Sequence, residues 1–156
     1  MRLPTSLCFL LVTFCTTCLP ALLADDAKSP KDGQDDLKLL QGGWKVVVME
    51  DDGMRASSNV LKGMGWVFKG LKVQCTDPSG DAKLSVILDS SKTPKHINLV
   101  SGEGPMKGKP CLGIFKVEKD RLVICSGESA DDERPTDFST RPDSHRCMIT
   151  FERIKE

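Results

Sequence analysis

Leu40-Gln41-Gly42-Gly43-Trp44-Lys45-Val46-Val47-Val48-Met49-Glu50 is the stretch on which the fold turns. A short apolar helical turn over Leu37–Gln41 runs into two glycines. A Val-rich strand then opens at Trp44 and ends at Asp51-Asp52-Gly53. Asp36 is a candidate N-cap for the turn and Gly42 a candidate stop. At the other end of the chain, Cys147–Arg153 reads as the last strand. If the strands between them close on themselves, the Trp44 indole meets the Arg153 guanidinium, a contact of about 0.5–2 kcal/mol depending on burial.

The intervening sequence has the pattern that closure requires. Trp66-Val67-Phe68 and Lys72-Val73-Gln74-Cys75 flank a hairpin turn at Lys69-Gly70-Leu71. Leu84–Leu88, Ile97–Val100, Leu112–Val117 and Arg121–Cys125 follow, separated by segments rich in Asp, Pro, Ser and Gly. The hairpin turning at Glu118–Asp120 places Ile114 opposite Cys125 in its simplest register. Ser57–Gly63 reads as a short helix or lid, and Ser126–Ser144 as a long polar loop. The expected fold is all-β, an antiparallel barrel of about eight short strands with a short N-terminal helix.

The chain begins with a different signal. Arg2, the apolar run Leu7–Leu19, Pro20 and Ala21-Leu22-Leu23-Ala24 form a secretory signal pattern, cut after Ala24. The expected domains are therefore 1–24, signal peptide; 25–36, a polar flexible tether; and 37–156, the barrel. The apolar run is too short to span a membrane comfortably, so no span is expected after cleavage. The expected location is exported: periplasmic, cell-envelope or extracellular. With 22 basic and 22 acidic residues and no basic block, the chain offers no electrostatic case for nucleic acid.

Of the seven cysteines, Cys8, Cys15 and Cys18 fall in the signal, where Cys15-Thr16-Thr17-Cys18 has no redox role. Cys75, Cys111, Cys125 and Cys147 remain. An even number in an exported chain makes them disulfide candidates, with three possible connectivities. Cys125–Cys147, between the last two strands, is the more attractive pair. Four buried free thiols are the alternative, and no spacing suggests zinc.

Leu40–Val47, Leu61–Gly70, Asp89–Ile97, Lys109–Phe115 and Glu133–Phe138 together resemble an uncharacterised family of secreted bacterial proteins with a lipocalin-like, calycin-type domain. The resemblance runs from about Leu37 to Ile154. It implies an antiparallel barrel with a short N-terminal helix, and no established activity. In lipocalins, Gly-x-Trp at the base of the barrel packs beneath a basic residue of the last strand. Gly42, Trp44 and Arg153 are similar to that closure set.

The sequence shows no catalytic constellation. His96 and His145 stand apart from any recognisable nucleophile motif. Gly102–Pro110 lacks the first glycine and the Ser/Thr of a phosphate-binding loop. Asp131-Asp132-Glu133 lacks the alternating spacing of a calcium loop. Neither cofactor nor metal is expected. The expected function is that of a binding barrel for a small apolar or amphipathic molecule, with Trp66, Phe68 and Phe115 as the candidate interior wall. The alternative is a filled barrel acting through its loops, as an inhibitor or envelope component. In the distinctive Glu133–Phe138 loop, Arg134 is expected to pair with an acidic neighbour and Phe138 to plug a barrel end.

Overall fold

The structure is a computed structural model and describes residues 30–155. The expected signal segment 1–24 and residues 25–29 of the expected tether lie outside the described residues. Helix α1 (Pro30–Leu40) leads into β1 (Gly42–Asp51), β2 (Met54–Arg55), α2 (Ser58–Leu61), β3 (Gly65–Lys69), β4 (Lys72–Thr76), β5 (Ala82–Asp89), β6 (Lys95–Ser101), β7 (Pro110–Glu118), β8 (Arg121–Gly127) and β9 (Arg146–Arg153). β3 to β9 pair in sequence order, β1 pairs with β3 on one side, and β1 pairs with β9 on the other. Eight antiparallel strands thus close a barrel, and β2 flanks β1 as a short ninth strand. Closure removes the open sheet edges that would otherwise template association.

Alternation along the strands sorts the residues. Trp44, Phe68, Val73, Val86, Ile97, Phe115, Leu122, Ile124 and Phe151 face inward and form one buried core with Leu40 of α1. Trp66 packs on Phe68 and Phe151, with ring centroids 6.1 and 5.0 Å away. Buried aromatics of this kind contribute area and about 0.5–1.5 kcal/mol per pair beyond it. The end of the barrel beside α1 is therefore filled with side chains.

The helix starts earlier than the sequence suggested. Residues 30–36, expected as tether, are the first two turns of α1. Pro30 fits because the first helical position needs no N–H donor and favours the fixed φ of proline. Asp36, expected as an N-cap, is instead inside the helix and buried, with Oδ1 2.5 Å from Lys95 Nζ on β6. Asp36 and Leu40, one turn apart, make the buried stripe of the helix. α2 forms within Ser57–Gly63, and Leu61 joins the core.

Candidate ligand cavity at the open end of the barrel

Gly42, Trp44 and Arg153 meet at the α1 end as expected. Arg153 lies opposite Trp44 in the β1–β9 ladder, its guanidinium 4.1 Å from the indole ring. Arg153 also donates to the carbonyls of Leu39 at 2.6 Å and Gln41 at 2.8 Å. Trp44 Nε1 donates to the Leu40 carbonyl at 2.7 Å. Gly42, at φ +98°, makes the turn from helix to strand, and a Cβ there would lie 3.6 Å from the Arg153 guanidinium. These contacts seal one end and explain these residues without a ligand.

Trp66, Phe68 and Phe115, the candidate ligand wall, all belong to the packed core. Trp66 alone of the three also edges a free space, a groove of about 450 Å³ shared with Leu61, Met64 and Thr76. A cavity of about 300 Å³ occupies the opposite end of the barrel, and none of the three lines it. Its walls are Leu84, Leu99, Cys111, Ser126 and Cys147, with Met106 from the β6–β7 loop. Register explains this set: Leu84 lies opposite Ser101, Leu99 opposite Cys111, Ser126 opposite Gly113 and Cys147 opposite Ser126. Each has the parity of a core residue on its own strand. That parity was readable in the sequence; which layer of the barrel stays unfilled was not.

Charge gathers at the rim of this cavity. Asp51 is opposite Cys147, Glu128 follows β8, and Lys109 stands on the other side. Shielding of its carboxyl, then the charge and hydrogen bond of Asp51, hold Glu128 above the usual carboxylate range. Asp52 is pulled the other way, its carboxylate accepting hydrogen bonds from Ser144 Oγ and the His145 backbone N–H.

Cys75, Cys111, Cys125 and Cys147 are free thiols among the described residues, which corrects the disulfide expectation. Ile114 lies opposite Cys125, as the hairpin predicts. The favoured Cys125–Cys147 pair fails on side-chain direction. Cys125 is opposite Met148 and Cys147 opposite Ser126, so the two residues point to opposite faces of the sheet. Cys111 and Cys147 share the cavity but stand two strands apart, about 10 Å in the hydrogen-bonding direction, beyond disulfide reach. Burial pushes the Cys75 and Cys147 thiols up to about 12 and Cys125 to about 11. Burial also raises Cys111, which is less enclosed. All four are therefore poor nucleophiles at neutral pH.

The long loop 128–145 is a strap across the outside of the barrel, not a plug in its end. Among the described residues Arg134 pairs with no acid; it donates to the carbonyls of Ile97 and Gly113 and, at 2.7 Å, to Asn98 Oδ1. Gly113 allows this close layering, since a Cβ there would sit 2.8 Å from the Cys125 carbonyl. Phe138 lies on the outer face, with Lys116 Nζ 5.2 Å from its ring centroid. Beneath the strap, Ile114 and Cys125 are fully buried outside the main core, with Pro135 buried in the strap itself. His96 is on the outer face of β6 opposite Ile114, its pKa lowered by burial and then by Arg134. His145 is in the strap at the rim.

A search against protein families, curated proteins and solved structures found no match to this chain.

Proposed function

We propose that this protein is an exported, lipocalin-like barrel that binds one small apolar or amphipathic molecule at its open end. The observation that carries this reading is the cavity of about 300 Å³ among Leu84, Leu99, Met106, Cys111 and Cys147. That volume is at the lower limit of the usual 300–1,000 Å³ range of small-molecule sites. Apolar walls favour the ligand by roughly 25 cal/mol per Å² of apolar surface buried. The rim sets the ligand's orientation: its apolar body enters toward Leu84 and Leu99, and its polar end stays among Asp51, Glu128 and Lys109.

The thiols in the wall act as small apolar groups, because their raised pKa values keep them protonated. They provide no nucleophile, and the proposed function is binding without chemistry.

The alternative, a filled barrel acting through its loops, draws on the packed α1 end and on the anchored strap. The two readings separate in one experiment. Native mass spectrometry of protein isolated from the cells that produce it should show a small-molecule adduct, and Cys111→Phe, which fills the cavity, should remove that adduct. Repeated absence of an adduct from the unaltered protein would favour the alternative.

A further inference from the structure

The outer face of β3, β4 and the start of β5 carries a basic patch whose lysines have no ion-pair partner among the described residues. Phe68 and Val73 point inward, so Lys69, Lys72, Gln74 and Lys83 project outward from the same sheet face. Lys69 is directly opposite Lys72, and Lys83 is opposite Gln74 on the neighbouring ladder. Like charges facing each other across strands destabilise a sheet. Among the described residues, no carboxylate comes within ion-pair distance of any of the three lysines. The contrast is on the same barrel: Lys45 faces Glu152 across β1 and β9 and pairs with it at 3.0 Å. In a chain with equal numbers of basic and acidic residues, this face is locally cationic, while carboxylates collect at the β1–β8 rim.

Two aliphatic side chains border the lysines. Leu71, at the tip of the β3–β4 hairpin, is 50% exposed, and Ile87, outward on β5, is 58% exposed. The Val86 N–H donates to the Leu71 carbonyl at 2.8 Å, which holds the tip beside β5 and brings the two together. Lysines set around projecting aliphatic chains match the boundary of an anionic bilayer, where headgroups attract the ammoniums and the aliphatic chains enter the acyl margin. A hydrated acidic peptide would satisfy the lysines but would leave Leu71 and Ile87 unused.

We propose that the β3–β5 face docks the protein on anionic membrane surfaces through Lys69, Lys72 and Lys83, with Leu71 and Ile87 inserted. Docking is peripheral and reversible, because three lysines and two aliphatic side chains are a modest anchor.

The test is co-sedimentation with vesicles of phosphatidylcholine containing 30% phosphatidylglycerol. The comparison is between the protein as its cells yield it, Lys69→Gln/Lys72→Gln/Lys83→Gln, Leu71→Ser/Ile87→Ser, and the equal-charge control Lys38→Gln/Lys119→Gln/Lys155→Gln. All must carry the same N-terminus, verified by mass. At low ionic strength, each face lysine removed should lower partition about five-fold, and the triple variant about a hundred-fold. The control should stay within about three-fold of the unaltered protein. Leu71→Ser/Ile87→Ser should weaken partition with the salt dependence retained, and pure phosphatidylcholine should bind at least ten-fold less. Equal loss in face and control variants, undiminished binding in the face variant, or no preference for phosphatidylglycerol would overturn the proposal. Failure to bind vesicles, with capture instead by a glutamate-rich peptide, would overturn it in favour of an acidic protein partner.

Discussion

Arg153 sits over Trp44, its guanidinium carbon 4.1 Å from the ring centroid, while its two terminal nitrogens donate to the carbonyls of Gln41 and Leu39 just before the first strand. One side chain thus joins the last strand, the first strand and the end of α1. Trp44→Ala removes a fully buried indole and should cost about 3–5 kcal/mol. Arg153→Lys keeps the charge but loses the two-pronged donation and should cost about 1–3 kcal/mol. Chemical denaturation measures both; a Trp44→Ala protein of unchanged stability would refute the closure role.

The Asp36–Lys95 pair should behave as a buried ion pair. Removing Lys95 leaves a carboxylate inside the α1–β6 junction, where Asp36 is 4% exposed. Lys95→Met should therefore cost about 3–5 kcal/mol, and the double variant Asp36→Leu/Lys95→Met should recover most of it. Denaturation of these two variants, of Asp36→Leu and of the unaltered protein closes the cycle, and an additive double variant would contradict the assignment.

Thiol reactivity should report the strap. In the native protein, Cys111 should alkylate first, and Cys125 should be protected by the segment around Ser139 that covers it. Arg134→Ala detaches the strap from β6 and β7, and should speed Cys125 alkylation at least ten-fold with the barrel still folded. Peptide mapping should find Cys75, Cys111, Cys125 and Cys147 all alkylated after unfolding without reductant.

Glu128 at the rim and three aspartates elsewhere give stability a pH dependence of known sign. Glu128 is raised in the folded state, so its contribution is present below its unfolded pKa and lost as pH rises through the folded value. Asp77, Asp89 and Asp137, lowered chiefly by hydrogen bonds from Ser79, Ser91 and Ser139, contribute above their unfolded pKa and lose that contribution as pH falls. Glu128→Gln should flatten the decline just above the ordinary glutamate range and raise Tm at neutral pH. Asp51→Asn should bring the Glu128 titration downward, as read by carboxyl NMR.

Much of the barrel was legible because closure imposes local rules. Alternation marked the strands, the hairpin at Glu118–Asp120 fixed the pairing of Ile114 with Cys125, and Gly42-Gly43-Trp44 located the first strand. Features set by distant partners were hidden. Asp36 looked like a cap because Lys95, which justifies its burial, is far along the chain. The strap has no periodicity, and its path depends on carbonyls of β6 and β7 that accept from Arg134. The aromatic residues suggest a ligand wall, but they pack into the core, and the inward-facing space beside Leu99 and Cys111 at the other end is lined by none of them.

The most direct test of the binding proposal is a crystal structure of the protein isolated from the cells that produce it, without added ligand. Continuous density for a small molecule in contact with Leu84, Leu99, Cys111 and Cys147 is the predicted result. A cavity closed by those same side chains, or a molecule bound elsewhere with this end empty, would contradict it.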